Sequence, residues 1–174
     1  FDDRGLYRDV AIPREDVAAA CQVLRERPEL IAVMETDQGN FLSRMEEDLR
    51  PLFRDIHTPV YPVRAPEAAL EESVYQFVPF VLPGEEGLFL SRMPHCMATR
   101  WHPHAIDVIP AGGGKADGIR ATLERFGLKR EEVIAFGDGD NDRSMIALAG
   151  IGVAMGNSGA ELTAEADYVT DAVD

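Results

Sequence analysis

Two hydrophobic rhythms divide the chain. Beyond residue 110, apolar positions switch between helical spacing and short continuous runs. Ile119, Leu123 and Phe126 share one face and predict a helix over 115–126, with Gly127 as its C-terminal stop. Val133 to Phe136 predicts a short buried strand, and Met145, Ile146, Leu148 and Ala149 a helix over 142–149 closed by Gly150. Ile151 to Met155 is a second apolar strand, Ser158-Gly-Ala-Glu161 has capping-box spacing for another helix, and Tyr168-Val-Thr170 is a last strand. Strands and helices alternating in this way predict a parallel sheet.

Before residue 110 the pattern is of α+β type. Pro13 opens a helix with Val17, Ala20, Cys21 and Leu24 on its apolar stripe and Glu15 and Asp16 in its first turn, and Pro28 ends it. Strands are expected at 30–35, 74–82, 97–102 and 105–109, with 88–92 returning as a partner strand after the turn at 83–87. Met45, Leu49 and Phe53 predict a helix that Pro51 shortens. Residues 1–12 read as two short strands around Asp3-Arg4-Gly5. The expected organisation is therefore 1–12, 13–103 and 104–174.

Charge narrows the partners. Against 17 Lys and Arg stand 31 Asp and Glu, a formal charge of −14, which disfavours nucleic acid and anionic membrane. No apolar run approaches the roughly 18 residues of a membrane helix, and no signal peptide is visible. Cys21 and Cys96 form no C-x-x-C pair and read as reduced thiols, so a cytoplasmic protein is expected. Starting at Phe1 and stopping at Asp174 just after a strand, the chain reads as cut at both ends.

The densest chemistry lies in Gly137-Asp-Gly-Asp-Asn-Asp142, between a predicted strand and a predicted helix, where open α/β sheets bind ligands. Two unit charges about 4 Å apart repel by about 1 kcal/mol in water and about 4 at an effective dielectric of about 20. Gathering Asp138, Asp140 and Asp142 in one turn thus points to a cation, and the turn reads as half of a metal-dependent phosphate site. A calcium loop would need glycine and glutamate where Arg143 and Ala149 stand. A dinucleotide fingerprint would need a third glycine at Asp142, and Gly112-Gly-Gly-Lys115 lacks the first glycine and the Ser/Thr of a P-loop. The plain alternative is a solvated acidic loop with Asn141 or Asp142 capping the helix. Lys115, after three glycines at a helix start, can reach the same crevice. His102 and His104 lack a third ligand and read as packing, while Arg92 and Arg100 read as solvated charges able to meet an anion.

The acidic turn, Met145, Gly152-Val-Ala-Met-Gly-Asn157 and Ala166-Asp-Tyr-Val-Thr170 together resemble the C-terminal core of the haloacid-dehalogenase-like hydrolases, in their Cof-type sugar phosphatase branch. Ile106-Asp-Val-Ile-Pro110 followed by Lys115 resembles that branch's strand and catalytic lysine, with Ala116 where glycine is usual. The resemblance implies an α/β fold: a Rossmann-like parallel sheet core, here its C-terminal half over 104–174, with an inserted α+β cap over 13–103 reached through a core hairpin over 1–12. It implies a Mg²⁺-dependent phosphomonoester hydrolase acting on a small phosphorylated metabolite, a sugar phosphate, through an aspartyl-phosphate. Asp138 would bind Mg²⁺, Asn141 would bind phosphate or metal-linked water, Lys115 would neutralise the nucleophile and the phosphoryl group, and Asp142 would orient Lys115 or the metal shell.

The family's nucleophile segment, D-x-D-G-T, and its Ser/Thr motif do not occur in the sequence, and Arg4 stands where the second acid of Phe1-Asp-Asp-Arg-Gly5 would be. A fragment of a longer phosphatase, inactive by itself, is therefore expected. Two alternatives stay open: the phosphorylation domain of a P-type ATPase, which carries a similar turn, and a non-catalytic module that binds phosphate or metal.

Overall fold

The computed structural model describes residue 5 and residues 7–47, 49–55 and 58–172. They form two compact units, one of Val10–Ala98 with His102–Ala111, the other of Phe1–Asp9, Thr99–Trp101 and Gly112–Asp174. In chain order the elements are α1 (Arg14–Glu26), β1 (Ala32–Thr36), β2 (Phe41–Leu42), α2 (Leu49–Asp55), β3 (Val74–Pro79), α3 (Gly87–Leu90), β4 (Cys96–His102), β5 (Ala105–Pro110), α4 (Lys115–Phe126), β6 (Ile134–Gly137), α5 (Arg143–Leu148), β7 (Ile151–Ala154), α6 (Ala160–Glu165) and β8 (Tyr168–Val169).

The first unit is built on a five-stranded sheet of order β2-β1-β3-β5-β4. The pairs β1–β2, β1–β3 and β3–β5 are antiparallel. Side chains alternate across such a sheet, and the register Met34↔Phe77↔Val108 puts these three on one face. That face packs on the α1 stripe of Val17, Ala20, Cys21 and Leu24 and takes in Phe89, whose ring lies 4.9 Å from that of Phe77. On the opposite face Val33, Val78 and Ala105 pack with Phe53 of α2 and with Tyr61.

Several expectations change here. Residues 88–92 do not return as a strand. The Leu82 and Gly84 N–H groups donate to Glu85 and Glu86 carboxylates (2.9 and 2.8 Å), and the chain coils into the short α3, which drops Phe89 into the core. Ala105–Pro110 forms the strand expected in the β-rich stretch, and because β5 pairs antiparallel with β3 the compact unit runs on to Ala111, past the division expected at 103/104. α2 begins at Leu49, with Pro51 in the first turn, where backbone N–H groups have no helical partner anyway. Of the hairpin expected over 1–12, residues 1–4 and 6 lie outside the described residues; residues 7–12 form no strand, and the Ile12 N–H donates to Val74 O at 2.7 Å.

The second unit carries the parallel sheet β6-β7-β8. α4 spans the predicted residues, and Gly127 closes it in the left-handed region (φ 66°), its N–H donating to Leu123 O. Ala135 and Ala154 of the sheet pack on Ile146 of α5 and Leu162 of α6. Burial of β6 alternates rather than running continuously as expected: Ala135 is buried, while Ile134 and Phe136 are 57% and 60% exposed, because α5 and α6 cover one face only.

Candidate active site

The site grows from the end of β6. The Gly137 carbonyl accepts the Met155 N–H (2.9 Å) and the Ser158 hydroxyl (3.4 Å), which fixes the loop after β7 beside the acidic turn. Ser158 was expected to cap α6; its hydroxyl is spent on Gly137 instead, and Gly159 occupies the N-cap position with no side-chain bond. Residues 140–142 form one tight helical turn leading into α5.

The three acids of the turn have different environments. Asp138 and Asp140 are exposed, Asn141 is half-buried and Asp142 is 4% exposed. Asp142 does not cap α5 through its side chain. Its Oδ2 accepts the backbone N–H groups of Asp138 (3.0 Å) and Gly139 (3.1 Å), and its Oδ1 accepts the Lys115 ammonium. Burial pushes the Asp142 carboxyl up, but the Lys115 ammonium and the Gly139 and Asp138 N–H groups outweigh it and hold the group below its ordinary range. The turn has no room for side chains at its glycines. A Cβ on Gly137 would lie 2.5 Å from Asp142 Cβ, and one on Gly139 would lie 2.7 Å from Asn141 Oδ1.

Lys115 is the first residue of α4, with Gly114 at the N-cap, whose N–H donates to Asp117 Oδ2 (3.3 Å). The structure thus joins Lys115 to Asp142, and Asp142 to the backbone of Asp138, at the carboxyl end of a parallel strand. Chemically this is a positive charge held on a buried carboxylate whose other oxygen fixes the backbone of the exposed Asp138, an arrangement suited to a phosphoryl group and a divalent cation.

Other candidates have partners of their own. His104 N–H donates to Nδ1 of His102 (3.1 Å), and Arg92 is paired with Glu26 (2.7 Å). Among the described residues no group of three His, Cys, Asp or Glu side chains has metal-holding geometry. Cys21 and Cys96 are free, with burial raising their thiols to about 11 and about 12 respectively. Two features of the second unit escaped the sequence reading: the bond from Ser158 to Gly137, and Arg143, whose guanidinium bridges to Glu161 and Glu165 of α6. A cationic residue directly after Asp142, followed by two glutamates four apart on a predicted helix, was the available signal for the second.

A parallel α/β core into which an antiparallel α/β unit is inserted, with charged groups gathered at a strand end, defines a class of capped α/β enzymes. A family model of the haloacid dehalogenase-like hydrolases matches residues 3–174, and the chain belongs to that family. Its solved relatives place it in the Cof-type branch: the subclass IIB sugar phosphatase BT4131 matches with a TM-score of 0.88 and 35% identity over 98% of this chain and 66% of that one. BT1666 from Bacteroides thetaiotaomicron, a phosphatase of the same superfamily, matches with a TM-score of 0.83 and 34% identity over 95% of this chain and 62% of its own. The putative phosphatase YkrA of Bacillus subtilis is 42% identical over 103 residues, 59% of this chain and 40% of YkrA. The chain thus spans just under two thirds of these solved relatives and less than half of YkrA.

Proposed function

We propose that the chain is part of a Mg²⁺-dependent phosphatase that hydrolyses a small phosphorylated metabolite, a sugar phosphate, with the nucleophile supplied by residues outside these 174. The observation that carries this reading is the contact between the Lys115 ammonium and buried Asp142, whose other oxygen holds the Asp138 and Gly139 amides. The kinship with a sugar phosphatase supports the substrate class.

The donor set fits the metal. Mg²⁺ commonly takes one or two protein carboxylates and keeps waters and phosphate oxygens as its remaining ligands, so a site without three clustered protein ligands is in keeping with it. Asp138 would hold the ion and Asn141 its water or the phosphate; bound there, Mg²⁺ would supply positive charge against the phosphoryl oxygens. Lys115 would neutralise the phosphoryl group and the attacking carboxylate, and Asp142 would keep the ammonium aimed. Attack by a carboxylate oxygen forms an aspartyl-phosphate and releases the sugar alcohol, and water then hydrolyses the acyl phosphate. The unit Val10–Ala98 with His102–Ala111 would act as the cap that selects the substrate.

Sugar phosphates and para-nitrophenyl phosphate, assayed with and without Mg²⁺, test this. The 174-residue polypeptide should be inactive, and a polypeptide extended by the family's nucleophile segment should turn over. In the latter, Asp138→Asn and Lys115→Ala should each lower kcat/KM by about 100-fold or more. Turnover by the 174 residues alone, or an extended polypeptide indifferent to Mg²⁺ and to Asp138→Asn, would defeat the reading. Because no nucleophile segment occurs in the sequence, the second reading is a module that binds phosphate or metal without turnover; Mn²⁺ binding at Asp138 in an extended polypeptide that remains inactive would favour it.

A further inference from the structure

Arg143 is the first residue of α5 and directly follows Asp142. Its Nη1 bridges to Glu161 Oε2, while its Nη2 and its Nε (3.1 Å) both meet Glu165 Oε1. Glu161 and Glu165 lie one turn apart on α6, so one planar guanidinium spans two carboxylates of a neighbouring helix. α6 is tied to the same turn from its other side, where the loop preceding it gives Met155 N–H and Ser158 Oγ to Gly137 O. The acidic turn is thus held between two fastenings, one just before Asp138 and one just after Asp142.

We propose that Arg143 is a positioning residue for the site: by pinning the start of α5 to α6 it holds the Asp142 carboxylate against the Asp138 and Gly139 amides and Lys115, and so sets the affinity of the turn for a divalent cation. The metal half of this statement rests on the function proposed above; the positioning half does not. A single exposed ion pair would be too weak for the task. Here one planar fork engages two acids at once, on a side chain that is 38% exposed, and Glu165, 35% exposed, accepts two of the three contacts. Glu161, 74% exposed, is the lesser anchor. Arg143 reaches the turn through the backbone of Asp142 and needs no contact with substrate.

The test is amide hydrogen exchange with Mn²⁺ titration on the 174-residue polypeptide. Arg143→Gln should speed exchange at the Asp138 and Gly139 amides by about fivefold or more while leaving Val153 and Ala154 of β7 unchanged. Mn²⁺ affinity should fall by about threefold to tenfold. Glu165→Gln should act more strongly than Glu161→Gln, and the exchanged pair Arg143→Glu with Glu165→Arg should restore most of the protection. Uniform acceleration across the β7 amides would show a merely structural role, and unaltered exchange at 138 and 139 would overturn the clamp. If wild-type protein binds no Mn²⁺, or binds it equally well after Asp138→Asn, the affinity claim falls while amide exchange still decides the positioning.

Discussion

At the scale of single residues, two buried carboxylates show how context assigns work to the same side chain. Asp142 trades its hydration for two backbone N–H groups and an ammonium. Replacing it with Asn should cost about 1.5–3 kcal/mol at neutral pH, the range for hydrogen bonds to a charged group. Because the folded-state pKa is depressed, the contribution is full above the ordinary carboxylate value of about 4 and is lost as pH falls below it toward the folded value. Denaturant curves of wild type and Asp142→Asn should therefore differ at pH 7 and converge in acid; a gap that widens in acid would contradict the assignment. Asp16 is 1% exposed and accepts the His95 N–H (3.0 Å) and the Cys96 thiol (3.4 Å), with His95 Nδ1 at 3.1 Å, joining α1 to the start of β4. Asp16→Ala should cost about 2 kcal/mol in thermal or chemical melts, against about 0.5 for an ordinary surface change. Sequence made Asp142 visible because its neighbours in the turn are acids and glycines. It made Asp16 look like one more acid in the first turn of a helix, since its partners lie far along the chain.

At the scale of elements, the legible ones were those whose signals are local. α4 has its apolar stripe and its terminal glycine within one stretch, and it forms over the residues that stretch predicts. The one misread segment, and the division placed too early, depended on neighbours. Residues 88–92 are apolar enough for a strand, but Glu85 and Glu86 bind the amides just before them and start a helical turn. β5 is as apolar as a core strand, and only its pairing with β3 assigns it to the antiparallel sheet. Close packing within the second unit makes a sharper prediction. A Cβ on Gly152 would stand 2.7 Å from both Ile146 Cγ2 and the Ile146 carbonyl oxygen, so α5 cannot stay seated on β7. Gly152→Ala should destabilise this unit by about 1–3 kcal/mol, as overpacking does. Gly137→Ala meets Asp142 Cβ at 2.5 Å, an atom no side-chain rotation moves, so the backbone of the acidic turn must shift while the α5–β7 contact need not. Its signature should be loss of protection at the Asp138 and Gly139 amides with a smaller change in stability. Equal melting losses for the two variants would mean that the turn and the helix interface are not separable.

For the whole molecule, the hydrophobic residues form separate cores, two on either side of the antiparallel sheet and one under the parallel sheet. The third is small, and on the other face of its sheet, among the described residues, Ile134 and Phe136 of β6 and Tyr168 of β8 are 57%, 60% and 64% exposed. The parallel register sets Ile134 beside Ile151 and Phe136 beside Val153, with Tyr168 on the other side of Val153, which is itself only 7% exposed, so these side chains share one face. An exposed apolar face of this kind marks a place where other chain packs. No periodicity rule can find it, because a run of apolar residues reads the same whether one or both faces are buried. A polypeptide of these 174 residues should bind an apolar fluorescent dye such as ANS at this face. Phe136→Ser, or the double change with Ile134→Ser, should reduce the signal by about half or more without lowering stability, since exposed positions contribute little to folding. Dye binding unchanged by both substitutions would show that the face is not the reporter, and a large loss of stability would show that these side chains are buried in solution.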